Sequence, residues 1–416
     1  MIINGEYQMK IVSKLAFKRR SGTDDERRAA MLIQEEIASF GGTSTLETFQ
    51  VPFNTVKQVS LKVTEPFVRE LEARTVAYTG STPEDGIEAD FYYAEDASDM
   101  KLKNAAGKIL LLNKMDSKRW GKILQSGALG YVLVSGYHWD DAEQTDLPYP
   151  RLSPKNQEEG RIPGVVIRTR DAFEILKADA SRVSLTVLQE KSEAESANVV
   201  AEIFGNGNSD AFIILSAHYD SVPHSRGAWD NASGCADLLA LYAYFKENPP
   251  AMNMRFVWCG SEEVGRLGSK AYVEAHKEEL EKCRLNLNLD MTGVLIGTDE
   301  IDVIGEESFL HMIQYMAREH GFDADCKRAV RSSDCAVFAD EGIPAIDFVR
   351  RGKSVIHTRN DVEFPLSEVA FARTQIFMRQ FLCRVMNSVE FPIPREVPQD
   401  MKTELDKHWG RDAQNA

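Results

Sequence analysis

Apolar runs of strand length recur along the second half of the chain, and each leads into a side chain that can bind metal. The runs are Phe212 to Ser216, Met254 to Cys259, Leu285 to Leu289 and Ala345 to Val349. The side chains that follow them are His218 and Asp220, Glu262 and Glu263, Asp290, and His357. Ligand crevices of open α/β sheets lie beyond the carboxyl ends of the strands, so these side chains are predicted to converge.

Helical patterns alternate with these strands. They cover Gly234 to Lys246, Ser269 to Cys283, Ser308 to His320 and Leu366 to Met386. Strands that alternate with helices of this length indicate a mostly parallel sheet with helices on both faces. Nearer the start, the capping box Thr23-Asp-Asp-Glu26 opens an amphipathic helix, and Thr45 to Lys62 reads as one or two strands. We predict an α/β fold whose mixed, mostly parallel sheet is sandwiched by helices.

The middle of the chain has a different character. Residues 64–192 contain short strand patterns, one helical stretch at Trp120 to Gln125, and a long polar loop at Tyr137 to Glu159. They hold no His/Asp/Glu cluster with metal spacing, so we predict a separate module without chemistry of its own. From its strand patterns we expect a smaller, β-rich inserted α/β domain. Residues 1–63 with 193–390 would form the main domain, and 391–416, rich in proline and charge, an irregular tail.

Composition narrows the classes of function. A chain of 416 residues exceeds the usual size of a single core, which favours two domains. The formal charge of -15 argues against a nucleic-acid or anionic-membrane partner, since both require concentrated Lys and Arg. No stretch reaches the apolar length of a membrane span, and the first residues lack an apolar leader. We therefore expect a cytoplasmic protein, with its six cysteines mostly reduced.

His218 and Asp220 stand two residues apart, which places both on one face of a strand. A metal-binding imidazole usually donates its second ring nitrogen to a carboxylate, so Asp220 fits as the group that orients His218. Taken alone, the pair is more typical of a buried structural histidine. Asp290 ends a buried strand, where an unpaired anion is costly unless it meets a cation.

Asp230 lies in a loop of small residues before a helix and has two oxygens with which to bridge two ions. The alternative is an ordinary helix-entry aspartate.

The adjacent Glu262 and Glu263 project in different directions. This suits one as a metal ligand and the other as a proton acceptor; the alternative is a surface acidic pair. Imidazole with carboxylate suits Zn²⁺, with Mn²⁺ or Co²⁺ possible in vitro. A bridging carboxylate describes a two-metal site, with Glu262 as candidate base.

Five segments resemble the M28 zinc aminopeptidases, in that family's order. They begin at Ser216-Ala-His-Tyr-Asp, Gly227-Ala-Trp-Asp-Asn, Gly260-Ser-Glu-Glu-Val, Asn288-Leu-Asp-Met and Ile356-His-Thr-Arg-Asn-Asp. The resemblance covers about residues 195 to 390 and implies the zinc exopeptidase fold, two zinc ions and peptide substrates. It implies that His218 and Asp290 hold one zinc, that Glu263 and His357 hold the other, and that Asp230 bridges them. Glu262 would be the general base and acid, and the Asp230 to Asn231 peptide would be cis.

The inserted segment is similar to the protease-associated domain found in this family. Gly107-Lys-Ile-Leu-Leu-Leu, Gly127-Ala-Leu-Gly-Tyr-Val and Ile162-Pro-Gly-Val-Val-Ile carry this likeness. The resemblance assigns it a role in covering or shaping the substrate entrance. One departure is Cys335, which stands after Ser333-Asp334 where many members have histidine; contacts near the substrate are expected to differ.

Other functions of the same fold stay open. A dipeptidase or carboxypeptidase would need a cation for the substrate carboxylate, for which Arg226, Arg350 and Arg351 are candidates. A glutaminyl cyclase would use a single zinc, and a binding protein descended from such enzymes would have lost ligands. The pocket-lining candidates are Trp229, Met291 and Phe338, each with core packing as its alternative. The residue preference and the oligomeric state do not follow from the sequence.

Overall fold

The computed structural model describes residues 4–115 and 117–411, and the chain forms two compact units. The first comprises Met1–Val51 and Ala194–Ala416, and the second comprises Pro52–Glu193. The predicted boundary at residue 63 is therefore too late. The reason is that Leu61 and Val63, near the end of a long strand, pack in a core of the second unit.

The helices account for most of the segments predicted to be helical. They are α1 (Glu6–Leu15), α2 (Asp24–Ser39), α3 (Asp99–Leu102), α4 (Trp120–Gln125), α5 (Pro154–Glu159), α6 (Thr169–Lys177), α7 (Ser233–Glu247), α8 (Leu267–Ala275), α9 (Glu307–Glu319), α10 (Cys335–Asp340), α11 (Glu368–Met386) and α12 (Gln399–His408). Thr23 caps α2 as predicted, since its side chain accepts from the Glu26 amide. Within the described part of the chain, no helix combines the length and apolar character that crossing a bilayer requires.

The strands belong to both units. They are β1 (Ser44–Glu65), β2 (Arg69–Leu71), β3 (Arg74–Thr75), β4 (Ile87–Glu95), β5 (Ile109–Leu112), β6 (Gly130–Ser135), β7 (Gly164–Arg168), β8 (Arg182–Ile203), β9 (Phe212–His218), β10 (Asn253–Cys259), β11 (Cys283–Leu289), β12 (Gly297–Ile304), β13 (Ala324–Arg328) and β14 (Ala345–Gly352). In the first unit they run in the order β13-β12-β14-β11-β9-β10-β8. The pairs β14-β11, β11-β9 and β9-β10 are parallel, whereas β10-β8 and β12-β14 are antiparallel. The mixed, mostly parallel sheet is confirmed.

This strand order places the predicted ligands side by side. The four strands that precede them, β10, β9, β11 and β14, are neighbours and run in the same direction. Their carboxyl ends therefore lie along one edge of the sheet, where His218 ends β9 and Asp290 follows β11. Both faces of the sheet are covered: Ile213 and Leu215 belong to one apolar core, and Phe212 and Ile214 belong to another. Burial on both faces explains why these strands read as continuous apolar runs.

The second unit contains its own small sheet. Strands β4, β5, β6 and β7 pair in parallel, and β3 pairs antiparallel with β7. Helices α3 to α6 accompany them, and two apolar cores lie within this unit. The predicted loop Tyr137 to Glu159 is wrong at its end, where Ser153 accepts from the Asn156 amide and caps α5.

The C-terminal tail contains a helix, contrary to the irregular tail that its prolines and charges suggested. Pro398 precedes α12, where its fixed φ is compatible with a helix start. Met401 and Leu405 on α12 are buried with Cys335 and Ala339 of α10 in one apolar cluster. Burial in this cluster stabilises the helix, and the composition of the tail alone does not predict such burial. Residues 412–416 of the predicted tail lie outside the described residues.

The Leu405→Ala variant is expected to be less stable by about 2–5 kcal/mol, because the side chain is 1% exposed and its loss leaves a cavity. Thermal or urea unfolding of the purified protein measures the loss. The control is Lys402→Ala, an exposed position of the same helix, which is expected to change stability by less than about 0.5 kcal/mol. Equal stability of the two variants would contradict the packing role of α12.

Candidate metal centre

The loop that follows β9 brings Asp230 back to the sheet edge. The segment Ala228–Ala232 forms an irregular turn before α7, and the Asp230–Asn231 peptide is cis, in agreement with the prediction. The Asn231 side chain holds this turn against β11: its Nδ2 donates to the Leu289 carbonyl over 2.8 Å, and its Oδ1 accepts from the Met291 amide over 3.0 Å. Asp230 therefore lies beside Asp290.

Two groups of side chains converge as possible metal-binding sets, and they share Asp230. In the first, Nε2 of His218 lies 3.2 Å from Oδ1 of Asp230 and 3.5 Å from Oδ1 of Asp290. In the second, Nε2 of His357 lies 3.1 Å from Oδ2 of Asp230 and 3.2 Å from Oε2 of Glu263. The two oxygens of Asp230 thus face different groups. Ligand atoms about 2.0–2.1 Å from a tetrahedral zinc lie about 3.3–3.4 Å apart, so both spacings fit that ion.

Asp220 holds the loop that carries the two glutamates. Its Oδ1 accepts from the Glu262 amide over 2.9 Å, and its Oδ2 accepts from the Glu263 amide over 3.2 Å. The same Oδ1 is 3.5 Å from Nδ1 of His218, which makes no hydrogen bond with the described residues. The sequence predicted only the contact with His218. In the structure Asp220 also positions the base candidate and the ligand candidate beside it.

The titratable groups of the site have shifted pKa values. Burial, followed by the charge of Asp230, raises the pKa of Glu263 to about 7. Burial also raises the pKa of Glu262 well above its usual range. Hydrogen bonds to Asp230 and Glu263 raise the pKa of His357 to about 11. Carboxylates packed this closely require a cation, which protons on the two histidines supply only in part.

The donor atoms themselves favour a metal ion. Oδ1 of Asp290 and Oε1 of Glu263 are buried and accept no hydrogen bond from the described residues. Buried carboxylate oxygens are normally satisfied, so these two are suited to coordination. His357 is the open member of the site, since its side chain is 52% exposed.

Comparisons with known proteins show what the chain and its site resemble. A zinc aminopeptidase structure from Bacillus subtilis superposes with a TM-score of 0.79 at 22% identity, covering 95% of this chain and 98% of that one. Aminopeptidase YwaD of Bacillus subtilis (strain 168) is 27% identical over 345 residues, which is 80% of this chain and 72% of that protein. Residues 198–382 match the model of peptidase family M28. These likenesses support a hydrolase of peptide bonds.

Further likenesses concern the alternatives. Carboxypeptidase Q of Bos taurus is 24% identical to this chain over 342 residues, covering 74% of the chain and 71% of that protein. The glutaminyl cyclase of Porphyromonas gingivalis superposes with a TM-score of 0.50 at 13% identity over 92% of this chain and 98% of that one. At that identity the likeness shows a shared fold only.

The structure corrects two of the substrate-binding candidates, Phe338 and Arg350. Phe338 is fully buried in a core cluster, with its ring 6.1 Å from that of Tyr272, so it lines no open pocket. Arg350 is also buried, and its guanidinium binds Asp299 over 2.8 Å and the Val294 carbonyl over 2.6 Å. It has no free face for a substrate carboxylate. Trp229 is 6% exposed and belongs to the main core.

Met291 and Cys335 have different surroundings. Met291 follows Asp290, is partly exposed, and remains a candidate for contact with substrate. Cys335 is buried in the apolar cluster beneath α12, and burial raises the pKa of its thiol well above the usual value. The cysteine is therefore a packing residue rather than a group that faces the site.

The sequence analysis assigned no role to several residues that position the site. Ser333 donates to Oδ2 of Asp290 over 2.7 Å, and Asp361 accepts from the amides of Trp229 and Asp230. Asp334 accepts from Ser269 over 2.5 Å, and burial raises its pKa to about 6. In the sequence, these residues were distinguished only by their position near the polar segments that contain the candidate metal ligands. The contacts that define their roles join distant parts of the chain.

Proposed function

We propose that the protein is an aminopeptidase that binds two zinc ions and removes N-terminal residues from peptides. The observation that carries the proposal is the position of Asp230, whose two oxygens each face a separate histidine and a separate second carboxylate. His218 and Asp290 would complete one zinc site, and Glu263 and His357 the other. When bound, zinc lowers the pKa of a coordinated water and polarises a carbonyl oxygen.

The protein groups would act as follows. Glu262 would accept one proton of the attacking water as the water oxygen bonds to the scissile carbonyl carbon. It would return that proton to the nitrogen as the C–N bond breaks, so that the amine leaves as a neutral group. Asp220 holds Glu262 in place through the backbone amide and helps to orient the ring of His218. Ser333 fixes one oxygen of Asp290, which leaves the other directed to the metal.

The charge of the site favours binding of the amino terminus of a peptide over binding of its carboxyl terminus. The carboxylates Asp220, Asp230, Glu262, Glu263, Asp290 and Asp334 outnumber the positive charges of two zinc ions. A substrate ammonium is therefore stabilised near them, and a substrate carboxylate is repelled. Arg350 is bound to Asp299, and Arg351 lies 3.2 Å from Glu300, so two of the three arginine candidates already have acidic partners.

A carboxypeptidase is the second candidate, favoured by the likeness to carboxypeptidase Q and by Arg226. This arginine is exposed and lies four residues before Asp230. If the protein were a carboxypeptidase, Arg226→Ala should weaken substrate binding. The glutaminyl cyclase alternative requires a single zinc, whereas the two groups that share Asp230 support a pair.

We also infer that Pro52–Glu193 is an inserted protease-associated domain. Its support is the parallel set β4 to β7, which includes all three segments that carry that likeness, and its position between two parts of the main unit. In this role it would shape access of the peptide rather than contribute chemistry.

Substrates with one blocked end test the proposed function. Protein stripped by a chelator and reloaded with Zn²⁺ is expected to regain activity fully at two ions per chain. It should release the first residue of a peptide with a free amino terminus and an amidated carboxyl terminus. An acetylated peptide with a free carboxyl terminus should stay intact.

Each contrary outcome points to one alternative. Release of the last residue from the acetylated peptide, lost in Arg226→Ala, would replace the proposal with a carboxypeptidase. Cyclisation of N-terminal glutamine at one zinc per chain would replace it with a glutaminyl cyclase. Absence of zinc binding would identify a protein without this catalysis.

A further inference from the structure

A buried arginine from the N-terminal segment binds the loop between two of the proposed zinc ligands. Arg19 is fully buried, and its guanidinium donates to the carbonyl oxygens of Tyr219 over 2.6 Å, Arg226 over 2.5 Å and Gly227 over 2.9 Å. It also donates to the carbonyls of Leu15 and Phe17 in its own segment. The three loop carbonyls lie between His218 and Asp230, so the arginine spans the connection between them.

The backbone of Arg19 strengthens this attachment. Its amide donates to Oγ of Ser221 over 3.0 Å, and its carbonyl accepts from the Ser221 amide over 3.1 Å. The N-terminal segment thus docks on the loop through both main chain and side chain. The link from Arg19 to Tyr219 spans 200 residues of sequence.

A buried carboxylate binds the other end of the same loop. Asp361 is fully buried; its Oδ1 accepts from the Trp229 amide over 2.7 Å, and its Oδ2 accepts from the Asp230 amide over 3.2 Å. Ser225 donates to Asp361 over 3.3 Å, and its hydroxyl accepts from the Gly227 amide over 2.9 Å. Asp361 follows His357 by four residues, so it also joins the loop of that ligand to Asp230.

The charges of Arg19 and Asp361 bind opposite ends of the peptide dipoles in this loop. The cation binds carbonyl oxygens up to Gly227, and the anion binds amides from Trp229 onward. A buried charge is costly unless it is hydrogen-bonded, and charge-assisted bonds to the backbone are among the strongest that a loop can make. Each group therefore gains its stabilisation only when the loop keeps this conformation.

We propose that Arg19 and Asp361 are positioning residues that clamp the loop carrying the bridging ligand Asp230, and that this clamp sets the zinc affinity of the site. The inference rests on the proposed two-zinc function. Neither side chain is accessible to substrate, since both are fully buried. Groups that orient metal ligands from outside the coordination sphere typically change metal affinity by about 10–100-fold when they are removed.

The test uses Arg19→Met, Arg19→Lys and Asp361→Asn in the full chain. Arg168→Met is the matched control, because Arg168 is 3% exposed and likewise binds a backbone carbonyl, that of Thr145, but lies in Pro52–Glu193. Zinc affinity is measured by competition with a chromophoric chelator. Amide hydrogen exchange of residues 225–232 is measured on the metal-free proteins.

We expect zinc affinity to fall about 10–100-fold in Arg19→Met and Asp361→Asn, with faster exchange at the amides of Trp229 and Asp230. Arg19→Lys should lie between them and the parent, since an ammonium cannot serve several carbonyls in one plane. The control should keep the parent affinity and the parent exchange rates.

Two outcomes would overturn the clamp and are distinct from failure of the proposed function. Parent-like zinc affinity and exchange in folded Arg19→Lys and Asp361→Asn would show that the loop does not need these charges. An equal loss of affinity in Arg168→Met would make the effect one of general stability. If the parent protein binds no zinc, the two-zinc function fails. Independently of that result, amide exchange that stays as slow in the variants as in the parent protein would reject the clamp.

Discussion

The Glu262→Gln variant is expected to lose about 10²–10⁴-fold in kcat while it binds zinc as the parent protein does. Glutamine has the shape of glutamate but cannot accept the proton of the attacking water. The Glu262 amide still donates to Asp220, so the loop and its neighbour Glu263 should stay in place. The change therefore removes a proton acceptor and leaves the proposed coordination groups intact.

Steady-state kinetics and metal analysis of the same sample measure this effect. The matched variant is Glu263→Gln, one residue along, which is expected to lose zinc as well as turnover because Oε2 of Glu263 faces His357. Full activity of Glu262→Gln with two bound zinc ions would remove Glu262 as the base. Loss of zinc in both variants would assign Glu262 to coordination instead.

Replacing Asp230 with Ala is expected to disrupt both metal groups at once. Its Oδ1 is 3.2 Å from Nε2 of His218 and its Oδ2 is 3.1 Å from Nε2 of His357, and no other described residue belongs to both groups. Loss of a shared ligand should weaken zinc binding by more than about 100-fold, the upper end for loss of an outer orienting group. Activity should fall at least in proportion to the unfilled sites.

Isothermal titration with Zn²⁺ and thermal unfolding with and without the ion measure this change. Zinc should raise the Tm of the parent protein, because a ligand that binds only the folded state stabilises it. The same addition should barely move the Tm of Asp230→Ala. The control is Asp237→Asn, a fully buried aspartate of α7 that belongs to neither group. Two zinc ions bound normally by Asp230→Ala would refute the bridge.

The continuous apolar runs of strand length were sufficient to predict the main sheet. Runs such as Phe212 to Ser216 are apolar without alternation because both faces are buried, and this property is local to each strand. The same runs indicated the edge at which His218 and Asp290 would meet, since parallel strands end on the same side. Resemblance then supplied the division of ligands between two groups, and the distances around Asp230 agree with that division.

The predictions that were wrong considered only neighbouring residues in the sequence. The tail has prolines and charges, yet Leu405 is buried because α10 offers it an apolar surface. Arg350 looked available for a substrate carboxylate, yet Asp299, 51 residues away, binds it. The strand Ser44–Glu65 looked like part of one domain, although its last residues pack in the core of the other unit.

The sequence by itself determined the sheet, its helical layers and the candidate ligands at the strand ends, because periodicity and burial act over a few residues. Only the tertiary structure decided which oxygen of Asp230 faces which histidine, that Asp220 holds the glutamate loop, and that Arg19 and Asp361 bind the loop before Asp230. These contacts join groups that are 12 to 200 residues apart in the sequence. Such contacts depend on how the chain packs, which no local pattern specifies.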